Sequence, residues 1–308
     1  MLSKRDVIFL LSLLFFSVAG FMVLRKKSSP HSNAAPPLDL ASALLSTRSS
    51  PSDLELSGDL ANLPPGSTRF ITRETLLTLP QITTTVTNDG NFRGSARISG
   101  VYLQDLVNRL TQNPSAEMVT AVCDDLYQAH YPRDSISTHH PILVLRINDQ
   151  PPTGWPKSSD GSGSFMGPYL ISYPNFVPSF QALQHEDEAQ IPWGVLRLEF
   201  RNEENVFSRI APPAASASNP NVRAGFLIAK QNCFRCHDTT EKSQMKSGVP
   251  WQTLVAWATA SPAGFASYVR DPQSANPKAQ MPANPKYDAA TLETLAAYFS
   301  SLSSQGKP

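Results

Sequence analysis

Cysteine is scarce in this 308-residue chain: there are three, and two of them, Cys233 and Cys236, sit three positions apart. A secreted disulfide framework needs several pairs at several spacings, so these thiols serve something else. An excess of charge is missing too. With 26 Lys and Arg against 25 Asp and Glu, no broad basic face exists to neutralise a phosphate backbone, and nucleic acid is not an expected partner. There is no internal repeat. The Gly/Ser-rich stretch around Ser162-Gly163-Ser164 lacks the Lys and following Ser/Thr of a phosphate loop and reads as a connection.

Proline, by contrast, is plentiful, at 27 residues, with pairs at Pro36-Pro37, Pro64-Pro65, Pro151-Pro152 and Pro212-Pro213. Such runs mark connections between ordered parts, and the length suits two domains plus linkers. One long apolar run exists, residues 7–24, flanked by Lys4-Arg5 and Arg25-Lys26-Lys27. As a helix it would reach about 27 Å, close to the ~30 Å hydrocarbon core, so a single transmembrane span is expected there. A cleaved signal peptide ending near Ser17-Val18-Ala19 is the rival reading. Flanking charges do not orient the span, with two basic residues before it and three after.

The expected organisation is multi-domain: residues 1–27 as membrane anchor or signal, 28–52 as linker, 53–208 as an α+β domain, 209–220 as linker and 221–308 as an all-α domain. In the first domain, 81–87 and 142–147 read as strands, with further strands at 117–123, 168–172 and 195–200. Leu103, Leu106, Val107 and Leu110 recur at helical spacing, and Thr72 suits the N-cap of a short helix ending before Pro80. In the second domain, helices are expected over 224–230, 251–258, 263–270 and 289–302, the last capped by Asp288.

Two thiols three apart, followed at once by His237, suit the covalent attachment of one haem: both sulfurs reach one edge of the ring and the imidazole takes the iron's proximal side. A zinc site would need a second ligand pair, and a thioredoxin-like pair a βαβ setting; neither is in the sequence. For the sixth position, Met281 in Ala279-Gln280-Met281-Pro282 lies 44 residues past His237 on a proline-stiffened loop, whereas Met245 lies only eight past it. Ligation by His237 and Met281 suits electron transfer better than oxygen or peroxide chemistry.

Residues 221–308 resemble class I monohaem cytochrome c, through Gly225-Phe226, the segment Cys233-Phe234-Arg235-Cys236-His237, Met281-Pro282, and Leu295 with Tyr298 in a terminal helix. That resemblance implies a small helical fold whose first and last helices cross beside the haem. It also implies attachment outside the cytoplasm, hence a single-pass protein of a bacterial inner membrane with soluble domains in the periplasm.

Residues 54–205 are similar, more diffusely, to the molybdopterin-binding domain of the sulfite oxidase family. The likeness rests on residues 70–80, Gly100-Val101-Tyr102-Leu103-Gln104-Asp105-Leu106, Asp124-Asp125-Leu126-Tyr127 and Pro192-Trp193-Gly194-Val195. That family's molybdenum ligand is a cysteine just after the strand that here reads Thr84-Thr85-Val86-Thr87. This chain continues Asn88-Asp89-Gly90, and an amide cannot replace a soft anionic sulfur. Cys123 is a different position, so molybdopterin is not expected, and the domain reads as a docking module. His139-His140 is expected in a polar turn, His185-Glu186-Asp187-Glu188 as a solvated acidic patch, and Arg73, Arg93 and Arg97 as an oxyanion site only if they converge.

The resulting expectation is an electron carrier with redox protein partners, a membrane respiratory complex among them. The alternatives are a molybdenum-dependent, sulfite-type oxidoreductase with a fused haem acceptor, or a structural haem subunit of a respiratory complex.

Overall fold

A computed structural model describes residues 40–111, 116–159, 163–239 and 244–304. Alternating apolar positions build two sheets. The first joins β1 (Leu54–Gly58), β2 (Ser67–Ile71), β5 (Met118–Cys123), β6 (Gln128–Pro132) and β11 (Val195–Arg201) in the order β2-β1-β11-β5-β6. Only β1 and β11 run parallel; the other pairs are antiparallel. The second joins β3 (Ile82–Val86), β4 (Ala96–Tyr102), β7 (Ile142–Ile147) and β8 (Leu170–Ser172) as an antiparallel β3-β4-β7-β8. A minimal hairpin pairs β9 (Gln181–Ala182) with β10 (His185–Glu186).

Helices α1 (Arg73–Leu77), α2 (Leu103–Leu110) and α3 (Arg133–His139) connect these strands, and α4 (Glu203–Phe207) follows β11. Thr72 caps α1 by accepting the Thr75 amide, and α2 buries Leu103, Leu106, Val107 and Leu110. The C-terminal part supplies α5 (Pro220–Gln231), α6 (Trp251–Ala260), α7 (Pro262–Arg270), α8 (Pro272–Ala275) and α9 (Ala289–Ser301). Asp288 caps α9 through the Thr291 amide.

The period-2 pattern of a strand explains how the layers share cores. Along β5 and β6, Val119, Ala121, Cys123, Ala129 and Tyr131 enter one hydrophobic core with Leu54, Leu56, Leu198 and Phe200. Met118 points the other way, into a second core with Phe207, Ile210, Ile228, Phe234, Trp251, Leu295 and Phe299. All six residues of β5 are buried because both faces of the strand are covered.

This corrects the expected fold. The helical C-terminal part is no separate all-α cytochrome domain: its core includes Met118 of β5 and Ala182 of β9, and the Tyr298 hydroxyl donates to the carbonyl of Ile210. A helical segment of this length buries little core alone, and here it takes the outer face of the sheet as its missing wall. The described residues belong to one compact mixed α/β unit, Leu38–Pro308. The transmembrane helix and the single-pass inner-membrane placement are corrected as well. Among the described residues no helix is long and apolar enough to cross a membrane, and residues 7–24 lie outside the described residues.

Helices α5 and α9 cross at Gly225, where an added Cβ would lie 2.3 Å from the Thr294 carbonyl oxygen and 2.7 Å from the Tyr298 Cβ. Backbone cannot yield as a flexible side chain does, so the clash outweighs the ~1 kcal/mol of helix propensity gained on replacing glycine. Gly225→Ala is expected to lower unfolding stability by about 1–3 kcal/mol in urea titrations. Gly90→Ala, whose Cβ meets only the Ile191 Cδ1 at 3.6 Å, is expected to change it little.

Candidate functional site

Helix α5 starts at Pro220, with Asn219 accepting the Asn221 amide, and runs to Asn232. A single tight turn, Cys233–Arg235, follows, and the amides of Cys236 and His237 both donate to the Cys233 carbonyl. The thiols of Cys233 and Cys236 are free and half-buried. Burial pushes Cys233 up to about 12, and it raises Cys236 as well, so both are neutral thiols at physiological pH.

His237 is braced from one side. Its Nδ1 lies 2.8 Å from the Val249 carbonyl, which can only accept, and 3.1 Å from the Ser247 hydroxyl. Nδ1 therefore carries the proton, and Nε2 keeps its lone pair for a metal. Burial lowers the pKa of His237, which also favours the neutral, ligating ring. The strap that supplies Val249 is tied back by the Ser247 amide on the Cys236 carbonyl and the Trp251 amide on the Asp238 carbonyl. Met245, 3% exposed, belongs to this strap on the His237 side.

Met281 packs against the same core as Cys233. Gln273 Nε2 donates to its carbonyl at 2.9 Å, and Asn284, three residues on, accepts from Asn232 Nδ2 at 3.2 Å. Asn232 directly precedes Cys233, so these bonds tie the methionine loop to the start of the Cys-x-x-Cys turn. The four residues singled out by sequence thus share one region. Two free thiols, an imidazole with Nε2 available and a thioether on a pinned loop are a donor set that fits a covalently held haem.

Sequence reasoning missed the wall behind this turn. Phe234 is 1% exposed and stacks on His130 of β6, with ring centroids 5.1 Å apart at 24°. Phe207 and Trp251 pack around it at 5.8 and 5.5 Å. His130 holds Thr120 through Nδ1, and its burial lowers the pKa to about 4. The signal was present only as alternation: in β6, Ala129 and Tyr131 face one core, which sends His130 to the other.

In the segment expected to be a solvated acidic patch, Glu186 and Glu188 are exposed, but His185 and Asp187 form a buried clasp. His185 and Asp187 are 1% and 8% exposed. His185 Nδ1 accepts from the Tyr287 hydroxyl at 2.7 Å, while its Nε2 donates to the Gln231 Oε1. Gln231 Nε2 donates to the Asp187 carboxylate, which also meets the His139 Nε2 at 3.3 Å and the Ser179 hydroxyl at 2.6 Å. His139 is stacked on Phe176, and His140 is the left-handed cap of α3, so the two neighbours do different work. Arg73 donates to the Leu145 carbonyl and Arg97 pairs with Asp149, each with its own partner.

Cys123 lies in the sheet core, 4% exposed, and burial together with Asp125 and Asp124 raises its pKa far out of the thiolate range. Asn88, where the sulfite oxidase resemblance looks for a thiolate, borders a cavity of about 160 Å³ with Asp89, Ser172, Tyr173 and Phe176. Burial raises the pKa of Asp89, whose carboxylate accepts from Ser172 Oγ and from the Asn91 amide. Among the described residues, no group of three or more His, Cys, Asp or Glu is arranged to hold a metal ion.

The buried His130 makes stability pH-dependent. Its folded pKa of about 4 lies below the ordinary 6.5, so between these values the unfolded chain binds more protons and stability falls as pH falls. The unfolding free energy from urea titrations is expected to drop on going from pH 7 to pH 4.5, by about 2 kcal/mol from this residue. His130→Phe, which keeps the stack, is expected to flatten that slope, and the lowered pKa of His185 leaves a residual one.

No family model matches the chain, and no curated protein matches it. Among solved structures, the sulfane dehydrogenase SoxCD from Paracoccus pantotrophus aligns at 15% identity with a TM-score of 0.34, over 54% of this chain and 44% of that one. The alignment spans less than half of that protein's chain, and at this level of similarity it carries no argument about fold or activity.

Proposed function

We propose that the chain is a c-type cytochrome that exchanges electrons with redox protein partners through one haem, attached by Cys233 and Cys236 and ligated by His237 and Met281. The reading is carried by the imidazole of His237, fixed on the Val249 carbonyl with Nε2 left open, immediately beside two free thiols. When bound there, the haem would supply a one-electron iron couple, and its ligation by both His237 and Met281 would favour electron transfer. The chain's own contribution is to orient the imidazole, pin the Met281 loop and close off the back of the turn with Phe234 and His130. The strand-rich part serves this reading as the wall against which the attachment turn is held.

A second reading draws on the cavity beside Asn88 and Asp89: a molybdenum-dependent oxidoreductase in which the haem is the acceptor. It requires a thiolate from Cys123, on the far side of the ionisation range that burial imposes. Stoichiometric molybdenum, lost in Cys123→Ser, would favour it over the first.

With a haem-attachment system coexpressed, the purified protein is expected to give a pyridine haemochrome spectrum of one haem with both vinyl groups saturated. That haem should stay on the polypeptide through denaturing electrophoresis, and Cys233→Ser with Cys236→Ser should abolish the attachment. Met281→His is expected to change the visible spectrum, whereas Met245→Leu is expected to leave it as in the parent. A colourless parent under these conditions overturns the proposal.

A further inference from the structure

Between the two thiols stands Arg235, and its surroundings differ from those of a surface arginine. Its side chain is 11% exposed. Nη2 lies 3.1 Å from Glu188 Oε2, and Nε donates to the Gln231 carbonyl. The Tyr127 hydroxyl adds a further contact; burial opposes the guanidinium charge, but Tyr127 and Glu188 hold its pKa above the ordinary value. The charge is felt at both attachment points: it draws down the Cys233 and Cys236 thiols against the larger effect of burial. Glu188 comes from the segment after β10 and Tyr127 from the turn before β6, so the strand-rich part supplies the partners of a charge built into the attachment turn. Lys246 and Asp125, whose charges also reach Cys236, are paired with each other.

We propose that Arg235 and Glu188 form a charge device through which the strand-rich part sets the reduction potential of the group carried by Cys233 and Cys236. The inference rests on the haem reading above. The couple takes up one electron from an external mediator and loses one unit of positive charge in doing so. A buried guanidinium close by therefore favours the reduced state, and the carboxylate of Glu188 offsets part of that bias. Arg235 acts as a positioning and tuning residue; it touches no reacting atom.

The test is an equilibrium redox titration of the haem-loaded chain and its variants, with the pyridine haemochrome spectrum recorded on each. Glu188→Gln leaves the guanidinium uncompensated and is expected to shift the midpoint to more positive potential, an increase of about tenfold in the equilibrium constant for reduction. Arg235→Met is expected to shift it the opposite way. Arg235→Lys, which keeps the charge but loses the fork, is expected to stay close to the parent; a structural role alone would not produce that rescue. Should Arg235→Met fail to fold or to take up haem, Glu188→Gln, at a side chain 49% exposed, decides the matter by itself. A parent with no attached haem overturns the haem reading. An attached haem with unaltered spectrum and the same midpoint in Glu188→Gln as in the parent overturns only this inference.

Discussion

A sheet that carries apolar side chains on both faces must be covered on both faces, and most of this architecture follows from that. Strand β5 is buried along its whole length, and β6 lies at the sheet's edge with only β5 as a paired neighbour. Left bare, β6 would present His130 and a row of unpaired backbone groups to water. Gln190 meets the edge, accepting from the His130 amide and donating to its carbonyl, while the Cys233–Arg235 turn covers the face: Phe234 lies flat on His130, with Phe207 and Trp251 closing the sides. In return the helices acquire a wall for a core they could not complete alone.

The polar contacts around that stack fix the turn from several directions. Gln231 and Tyr287 reach His185 and Asp187, Arg235 reaches Glu188 and Tyr127, and Lys246 reaches Asp125. Individually, exposed pairs such as Lys246 with Asp125 contribute little, on the order of 0–1 kcal/mol. The buried ones act differently: His185, Asp187 and Arg235 must keep their partners, because stripping one leaves a polar group without solvent or a bond. The Cys233–Arg235 turn is thus held in one geometry on the sheet. His237 is oriented by the Val249 carbonyl, so the two halves of the motif have separate supports.

Such a division suits a site whose chemistry needs little motion. Under the proposed reading, a carrier gains from keeping its ligands in place while the charge changes, since each rearrangement adds to the barrier. The imidazole held on the Val249 carbonyl and the methionine loop tied to Asn232 through Asn284 are parts of one fixed arrangement.

Local chemistry was legible in the residues themselves. The Cys-Phe-Arg-Cys-His spacing, the Met281-Pro282 loop, the Thr72 and Asp288 caps, and the apolar stripe of α2 all rest on interactions within a few positions of one another. Those are determined by covalent spacing and backbone geometry. Strands with weak signals escaped notice: Leu-Glu-Leu-Ser-Gly in β1 and Gln-Ala-His-Tyr-Pro in β6 are short and partly polar, and they become strands only through their neighbours. The expectation of an all-α C-terminal part failed for the same reason, since Met118 of β5 shares a core with Phe234, more than a hundred residues on. The acidic patch held in part: Glu186 and Glu188 are exposed, but His185 and Asp187 are buried by contact with Gln231 and Tyr287. The sequence by itself determined the spacing of two thiols and an imidazole along one turn. Only the tertiary structure decided what stands behind them, because burial and charge compensation are properties of surfaces that meet in space.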